Sequence, residues 1–279
     1  MCAAFRSIWT SGGVLMPSHA TLRGLAFLVV MCLVAACGRS AAQHAQSARC
    51  PGGKGASQAV ATGVPVLPLG CVSAAPALTN FSGNCAGLGL PAADKGSFST
   101  SVSSGGGYTQ TTTFWVAAAP QDFIYCAQIQ TPVIAATATG PGASTWTGDD
   151  MEFWLAPTND RATVRTPDTY QLLFNPLGGW NNTQGTGNSA SPFSFTWKSG
   201  VRFKALEQPA KSKTPGWAVL AELPWSSVGL TTSPKSGDVL GFNTGGCIGT
   251  GCSTTTDWIA TLNESNWHTP SLWGELKVQ

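Results

Sequence analysis

The sequence predicts an all-β domain, a sandwich or a barrel, and three observations support that class. Short runs rich in aromatic and β-branched residues recur from residue 111 onward, beginning with TTTFWVAA (111–118) and ending with LWGELKV (272–278). Between them fall Gly, Pro, Asn and Asp, the residues that turn chains. No segment carries a sustained helical period. Short strands separated by turn signals, with no helices between them, favour a sandwich or barrel over a βαβ arrangement.

In chain order, the first element is not part of the domain. Residues 22–37, LRGLAFLVVMCLVAAC, place one basic residue, Arg23, before an apolar run that closes in small residues and a cysteine. This is the pattern of a secretion signal, not of a membrane span, which needs a longer run. The tail VAAC resembles the lipobox of bacterial lipoproteins. That resemblance implies that Cys37 is lipidated, becomes the first mature residue and anchors an exported protein to the cell envelope, at the surface or in the periplasm. Met16 makes a better start for such a signal than Met1. Residues 1–36 are therefore expected to be a signal peptide. From 37 to 75 the chain is rich in Ala, Gly, Ser, Gln and Pro and reads as a tether. Residues 76–279 are long enough for one well-buried domain.

Composition narrows the partners. Loss of the signal removes Arg6 and Arg23 and leaves 13 basic against 13 acidic residues. Nucleic acid binding rests on an excess of Lys and Arg, so this near-neutral chain argues against it. The cysteines agree with export. With Cys2, Cys32 and Cys37 set aside, Cys50, Cys71, Cys85, Cys126, Cys247 and Cys252 remain, an even number that suits disulfides. The connectivity is open, but CIGTGC (247–252) suggests a local staple between Cys247 and Cys252, and Cys50 with Cys71 would close the N-terminal extension.

The stretch STWTGDDMEFWLAP (144–157) concentrates carboxylates in a chain of which only 10% is charged. In DDMEFWL a period of two puts Asp150, Glu152 and Trp154 on one face and Met151, Phe153 and Leu155 on the other, which is the core face. In YQLLFNP the same alternation sets Gln171 and Asn175 beside Leu173. Amides on a strand are costly unless paired or facing a ligand.

Six segments in order, FWVAAAPQDFIYCAQI, GDDMEFWLAP, YQLLFNPLGGW, GWAVLAELPWSSVG, PKSGDVLGFN and TPSLWGELKV, resemble the family-9 carbohydrate-binding module over roughly residues 76–279. The resemblance implies an antiparallel, jelly-roll-like β-sandwich that binds an oligo- or polysaccharide without catalysis, in polysaccharide capture or catabolism. The start departs from the family, with LTNFSGNCAGLGLPA where a strand is expected. The resemblance also places an aromatic residue before the acidic strand at one wall of the sugar site, with the strand's glutamate accepting sugar hydroxyls. Trp146 and Glu152 match those positions. Trp267, in the loop before the last strand, is the expected second wall, with Trp258 in reserve and Trp273 structural. Both walls are expected to be exposed indoles. Gln171 and Asn175 complete the expected sugar contacts, and Trp180 either extends the platform or caps the sandwich. Indoles suit the apolar C–H faces of sugars, and carboxylates and amides suit their hydroxyl edges.

The family also implies structural calcium, with Asp149 and Asp150 as the candidate ligands. Two other chemistries have candidate residues here. Asp150 and Glu152, at i and i+2 of one face, lie within reach of a glycosidase pair, but nothing assigns acid and base roles to them. A haem would need Met151 and His268 as its axial pair, and Met151 falls in the core pattern.

Overall fold

The computed structural model describes Cys50 and residues 60–103, 107–208, 215–259 and 266–279. All of these fall in the compact unit Ala42–Gln279, and the signal segment and Cys37 lie outside the described residues. Thirteen strands follow one another: β1 (Val66–Leu69), β2 (Lys95–Val102), β3 (Tyr108–Ala118), β4 (Asp122–Gln130), β5 (Met151–Ala156), β6 (Tyr170–Phe174), β7 (Trp180–Gly185), β8 (Phe193–Ser194), β9 (Arg202–Gln208), β10 (Gly216–Pro224), β11 (Val239–Ile248), β12 (Thr254–Asp257) and β13 (Gly274–Val278). They form two sheets. The larger has eight strands in the order β1-β13-β11-β5-β6-β7-β8, with β12 beside the end of β11, and the smaller runs β2-β3-β4-β10-β9. Among the described residues every pairing between two of these strands is antiparallel except β1 with β13. The fold is the β-sandwich that the sequence predicts.

The period of two works as expected on the inner faces. Phe114, Phe123, Tyr125, Phe153, Leu155, Leu172, Phe174, Trp217 and Phe242 meet between the sheets in one core. Yet β5, β6 and β11 are buried at every position, inner and outer. The outer faces are covered too. Over the smaller sheet, Phe81, Cys85 and Leu90 pack on Trp115, Ile124 and Leu220, and the Cys85–Cys126 disulfide fastens that cover to β4. Over the larger sheet, Ile259, Trp267 and Trp273 pack on Trp154 and Ala156.

The N-terminal boundary is corrected by the structure. The sandwich does not begin at residue 76, because β1 lies inside the stretch read as tether and pairs with β13 from Val66↔Glu275 to Leu69↔Val278. Leu67 and Leu69 enter the main core, and Cys71 bonds to Cys50. A run as short as VLPL in a Pro- and Gly-rich context carries no period to detect. Its Pro68 is tolerated because β1 is an edge strand, where a missing N–H costs least. The family's expected first strand is replaced by one-turn 3₁₀ helices at Leu78–Asn80, Cys85–Leu88 and Ala92–Asp94.

A chain that starts at residue 76 should therefore be less stable than one that starts at residue 50. Loss of the buried Leu67 and Leu69 side chains alone should cost about 3–6 kcal/mol. Denaturant unfolding of the two chains measures the difference, and equal midpoints would show that β1 contributes nothing.

Candidate functional site

Strand β5 links the core to a cavity. Its inner residues Met151, Phe153 and Leu155 are core, while Glu152 points to the outer face, between Gly245 of β11 and Leu173 of β6. A hydroxyl chain fixes the strand from below: Tyr125 Oη and Thr244 Oγ1 are 2.6 Å apart, and Thr244 Oγ1 donates to the Glu152 carbonyl at 2.7 Å. Above Glu152 lies a cavity of about 300 Å³, lined by Trp146, Glu152, Gln171, Thr183, Phe193, Phe195, Trp267 and His268, with the Cys247–Cys252 disulfide on its wall.

Its floor is a continuous hydrogen-bonded chain. Gln171 Nε2 donates to Glu152 Oε2, and Gln171 Oε1 accepts from Arg165 Nη1 at 2.8 Å and from Thr183 Oγ1 at 2.9 Å. Arg165 Nη2 also reaches Thr183 Oγ1 at 2.8 Å. The Arg165 side chain is fully buried, its guanidinium 5.5 Å from the centre of the Phe193 ring. Asp150 and Glu152 come within 4.8 Å of each other, and Asp150 Oδ1 accepts the Cys247 N–H at 2.7 Å.

Burial dominates the ionisation of this floor. It pushes Asp150 up to about 7, and the Cys247 N–H only partly offsets it. Glu152 is held well above the usual carboxylate range by burial and by the charge of Asp150, against the opposing pull of Gln171 and Arg165. Burial lowers Arg165 to about 9 and, with the Arg165 charge, His268 to about 4. Two carboxyls this close retain a proton between them at neutral pH. The pair then carries at most one negative charge, matched by Arg165, and the floor offers both donors and acceptors.

Trp146 sits on a 3₁₀ turn, Thr145–Thr147, just before β5 and is 39% exposed. The following Gly148 has to be glycine, because a Cβ there would stand 2.2 Å from the Ala135 carbonyl oxygen. Phe195 faces Trp146 at 6.3 Å between ring centres and meets Phe193 edge-on at 5.6 Å. Trp267 differs from the expected exposed wall. It is 4% exposed, packs on Trp154 at 5.4 Å and accepts the Trp273 indole N–H on its carbonyl, so it joins the cover of the sheet to the cavity.

The structure thus gathers Trp146, Glu152, Gln171 and Trp267 around one cavity and places Asn175 elsewhere. Asn175 Oδ1 accepts from Leu177 and Gly179 N–H and its Nδ2 donates to the Ala138 carbonyl, so the amide closes the β6–β7 turn and is spent there. Trp258 packs on Phe114 and Phe242 in the core, and Trp180 packs against Phe203 as a cap. Met151 lies in the core, across the sheet from His268, so the two do not form an axial haem pair.

Calcium at Asp149 and Asp150 does not fit the donor arrangement. Asp149 Oδ2 accepts from Ala135 N–H at 2.7 Å and its Oδ1 from Gly249 N–H at 2.5 Å. Cys247, which clusters with Asp150 and Glu152, has its sulfur in a disulfide. Calcium takes six to eight oxygens, whereas both Asp149 oxygens and Asp150 Oδ1 already accept backbone N–H groups.

Arg165, Thr183, Phe193 and Phe195 escaped the sequence reading, and His268 entered it as a haem ligand, not as a cavity residue. Arg165 stands in the polar run RATVRTPDTY, where nothing marks a buried side chain. FSFTWKS did show alternation, but only Phe193 and Ser194 pair as a strand, and both phenylalanines turn to the cavity at the sheet edge.

A sandwich whose covered face encloses a pre-formed cavity, with aromatic walls and a polar floor, is a small-ligand-binding module. The chain belongs to the family described as Carbohydrate family 9 binding domain-like, whose sequence model matches residues 98–279. Among solved structures it is similar to a family-9 carbohydrate-binding module from Caldicellulosiruptor kristjanssonii in complex with cellotriose, with 16% identity, a TM-score of 0.51, and coverage of 77% of this chain and 92% of that one. A protein from Bacteroides uniformis ATCC 8492, described as a candidate carbohydrate-binding protein, aligns at 16% identity and a TM-score of 0.55, over 77% of this chain and 98% of the other. These likenesses establish the fold. No curated protein sequence matches the chain.

The raised carboxyls set a pH dependence of stability. Asp94, Asp150 and Asp257 each reach about 7 through burial, and Glu152 is raised as well. The folded state keeps protons that the unfolded chain releases near pH 4, so their stabilisation is complete below that pH and is lost as pH rises through about 7. His268 acts in the opposite sense, losing stability as pH falls from 6.5 to about 4, but it is one group against these four and the likewise raised Asp168 and Glu222. Melting temperature should therefore be higher at pH 5 than at pH 8. Glu152→Gln should raise the value at pH 8 and flatten the profile, and an unchanged profile in thermal melts would refute the assignment.

Proposed function

We propose that this protein is a non-catalytic glycan-binding lipoprotein, exported and held at the cell envelope through Cys37, that captures oligo- or polysaccharide for breakdown by other enzymes. The observation that carries the reading is the cavity itself. Trp146 stands partly exposed at its wall, and Glu152 and Gln171 lie on its floor within a buried chain that leaves them fixed before any ligand arrives. An indole matches the C–H face of a pyranose, and a fixed carboxyl–amide pair matches vicinal hydroxyls. Family membership and the cellotriose complex of a structural neighbour support the same ligand class.

A hydrolase reading is less favoured. The two buried carboxyls lie within 4.8 Å of each other, and of the two only Glu152 lines the cavity. Glycoside hydrolysis needs two carboxyls flanking the scissile bond, one to protonate the leaving oxygen and one to attack or to activate water.

The test is a glycan array on the full chain followed by calorimetry, with cellotriose as the first probe. Dissociation constants are expected in the micromolar to millimolar range, roughly 4–8 kcal/mol. Trp146→Ala should abolish measurable binding and barely change the melting temperature. Trp267→Ala should abolish binding and also cost about 3–5 kcal/mol of stability, because this indole is buried against Trp154. Undiminished binding by Trp146→Ala would place the site elsewhere.

The anchor has its own test. The VAAC tetrad at the end of an apolar run supports lipidation of Cys37, and several acyl chains hold a protein firmly where one would not. Cys37→Ser should move the protein from the detergent phase to the aqueous phase on partitioning, and unchanged partition would exclude the anchor.

A further inference from the structure

We infer that the Cys247–Cys252 disulfide is a positioning element of the cavity, holding the Trp146 turn and the Asp149–Asp150 pair in place. The inference rests on the glycan-binding reading and adds to it the device that keeps the site in shape.

The disulfide closes the short connection between β11 and β12. Cys247, Gly251 and Cys252 all line the cavity. Within this loop three N–H groups are aimed at the segment that carries Trp146. Cys247 N–H donates to Asp150 Oδ1 at 2.7 Å, Gly249 N–H to Asp149 Oδ1 at 2.5 Å, and Gly251 N–H to the Thr147 carbonyl at 2.8 Å. The Asp150 N–H answers to the Cys247 carbonyl at 3.1 Å. Both aspartates and the turn bearing Trp146 are thus docked on one stapled loop.

The loop does not hold its shape by backbone preference alone. Gly249, Gly251 and Cys252 all have left-handed backbone, at φ of 78°, 68° and 55°. The glycines reach that region freely, but a residue with a Cβ does so at a cost, and such a residue persists where its surroundings over-determine it. For Cys252 the constraint is the bond to Cys247. A loop this short removes little entropy from the unfolded chain, so the disulfide adds little to global stability. Its effect is local, on the three donors it aims. Cys85–Cys126 is the contrast, since it ties the cover of the smaller sheet to β4 and does not line the cavity.

The experiment compares the full chain with its Cys247→Ser/Cys252→Ser and Cys85→Ser/Cys126→Ser variants by three readouts. These are cellotriose affinity by calorimetry, melting temperature, and amide hydrogen exchange across residues 144–150. The first variant should lose at least tenfold in affinity and exchange faster across 144–150, with a small drop in melting temperature. The second should melt lower while its affinity stays within twofold of the parent and exchange across 144–150 is unchanged. Unchanged exchange across 144–150 in the first variant overturns the inference, as does an affinity within twofold of the parent, or an equal loss of affinity in the second variant. If the parent itself binds no cellotriose, the ligand reading fails for that sugar, and the exchange measurement alone decides the positioning role.

Discussion

The structure turns on the burial of the Glu152 carboxyl. A charged group removed from water must be paired, hydrogen-bonded or neutralised, and all three occur here. Gln171 donates to it, Arg165 lies behind Gln171 with its charge opposed, and Asp150 shares the remaining proton demand. Satisfying one carboxyl therefore fixes side chains from β5, from β6 and β7 beside it, and from the loop that carries Arg165. Each of these groups has a set orientation before any ligand enters. A polar network joined in this way rigidifies its surroundings.

That burial is possible only because the larger sheet is covered on both sides. A sandwich with one wet face would leave Glu152 and Gln171 in solvent, where neither would need a partner. Here the loop carrying Trp267 and the turn carrying Trp146 close over the outer face, and the opening they leave becomes the cavity. The same cover makes Trp267 serve two ends, packing on Trp154 while lining the cavity. On the proposed reading, stability and recognition are coupled at that residue and separable at Trp146, whose indole reaches solvent.

The smaller sheet shows the same economy of covering by other means. There the 3₁₀ turns between residues 78 and 94 lie over the outer face and a disulfide secures them, while Arg202 of β9 pairs with Asp122 of β4 and Glu222 of β10. The two outer faces thus differ: one is covered mainly by apolar packing, with polar ties to its rim, and the other keeps a polar floor under an incomplete lid.

Much of this was legible in the sequence. The inner face followed from a period of two, which the pleat of a strand imposes on any half-buried run, and so Met151, Phe153 and Leu155 could be assigned to the core from spacing alone. Trp146, Glu152 and Trp267 could be named because their order along the chain matched a family pattern, and Gln171 because an amide on a strand face needs a partner or a ligand. Other features had no local signature. Arg165 is buried by elements distant in sequence, and β7, written WNNTQG, pairs because β6 lies beside it, not because its residues favour strands. The fate of Asn175 depended on the β6–β7 turn closing around it, and that of Trp267 on the indole of Trp154 lying beneath it. Sequence determined which residues alternate and which chemistries were at hand. Only the tertiary structure decided which outward-facing side chains were covered, since covering is a contact between segments far apart in the chain.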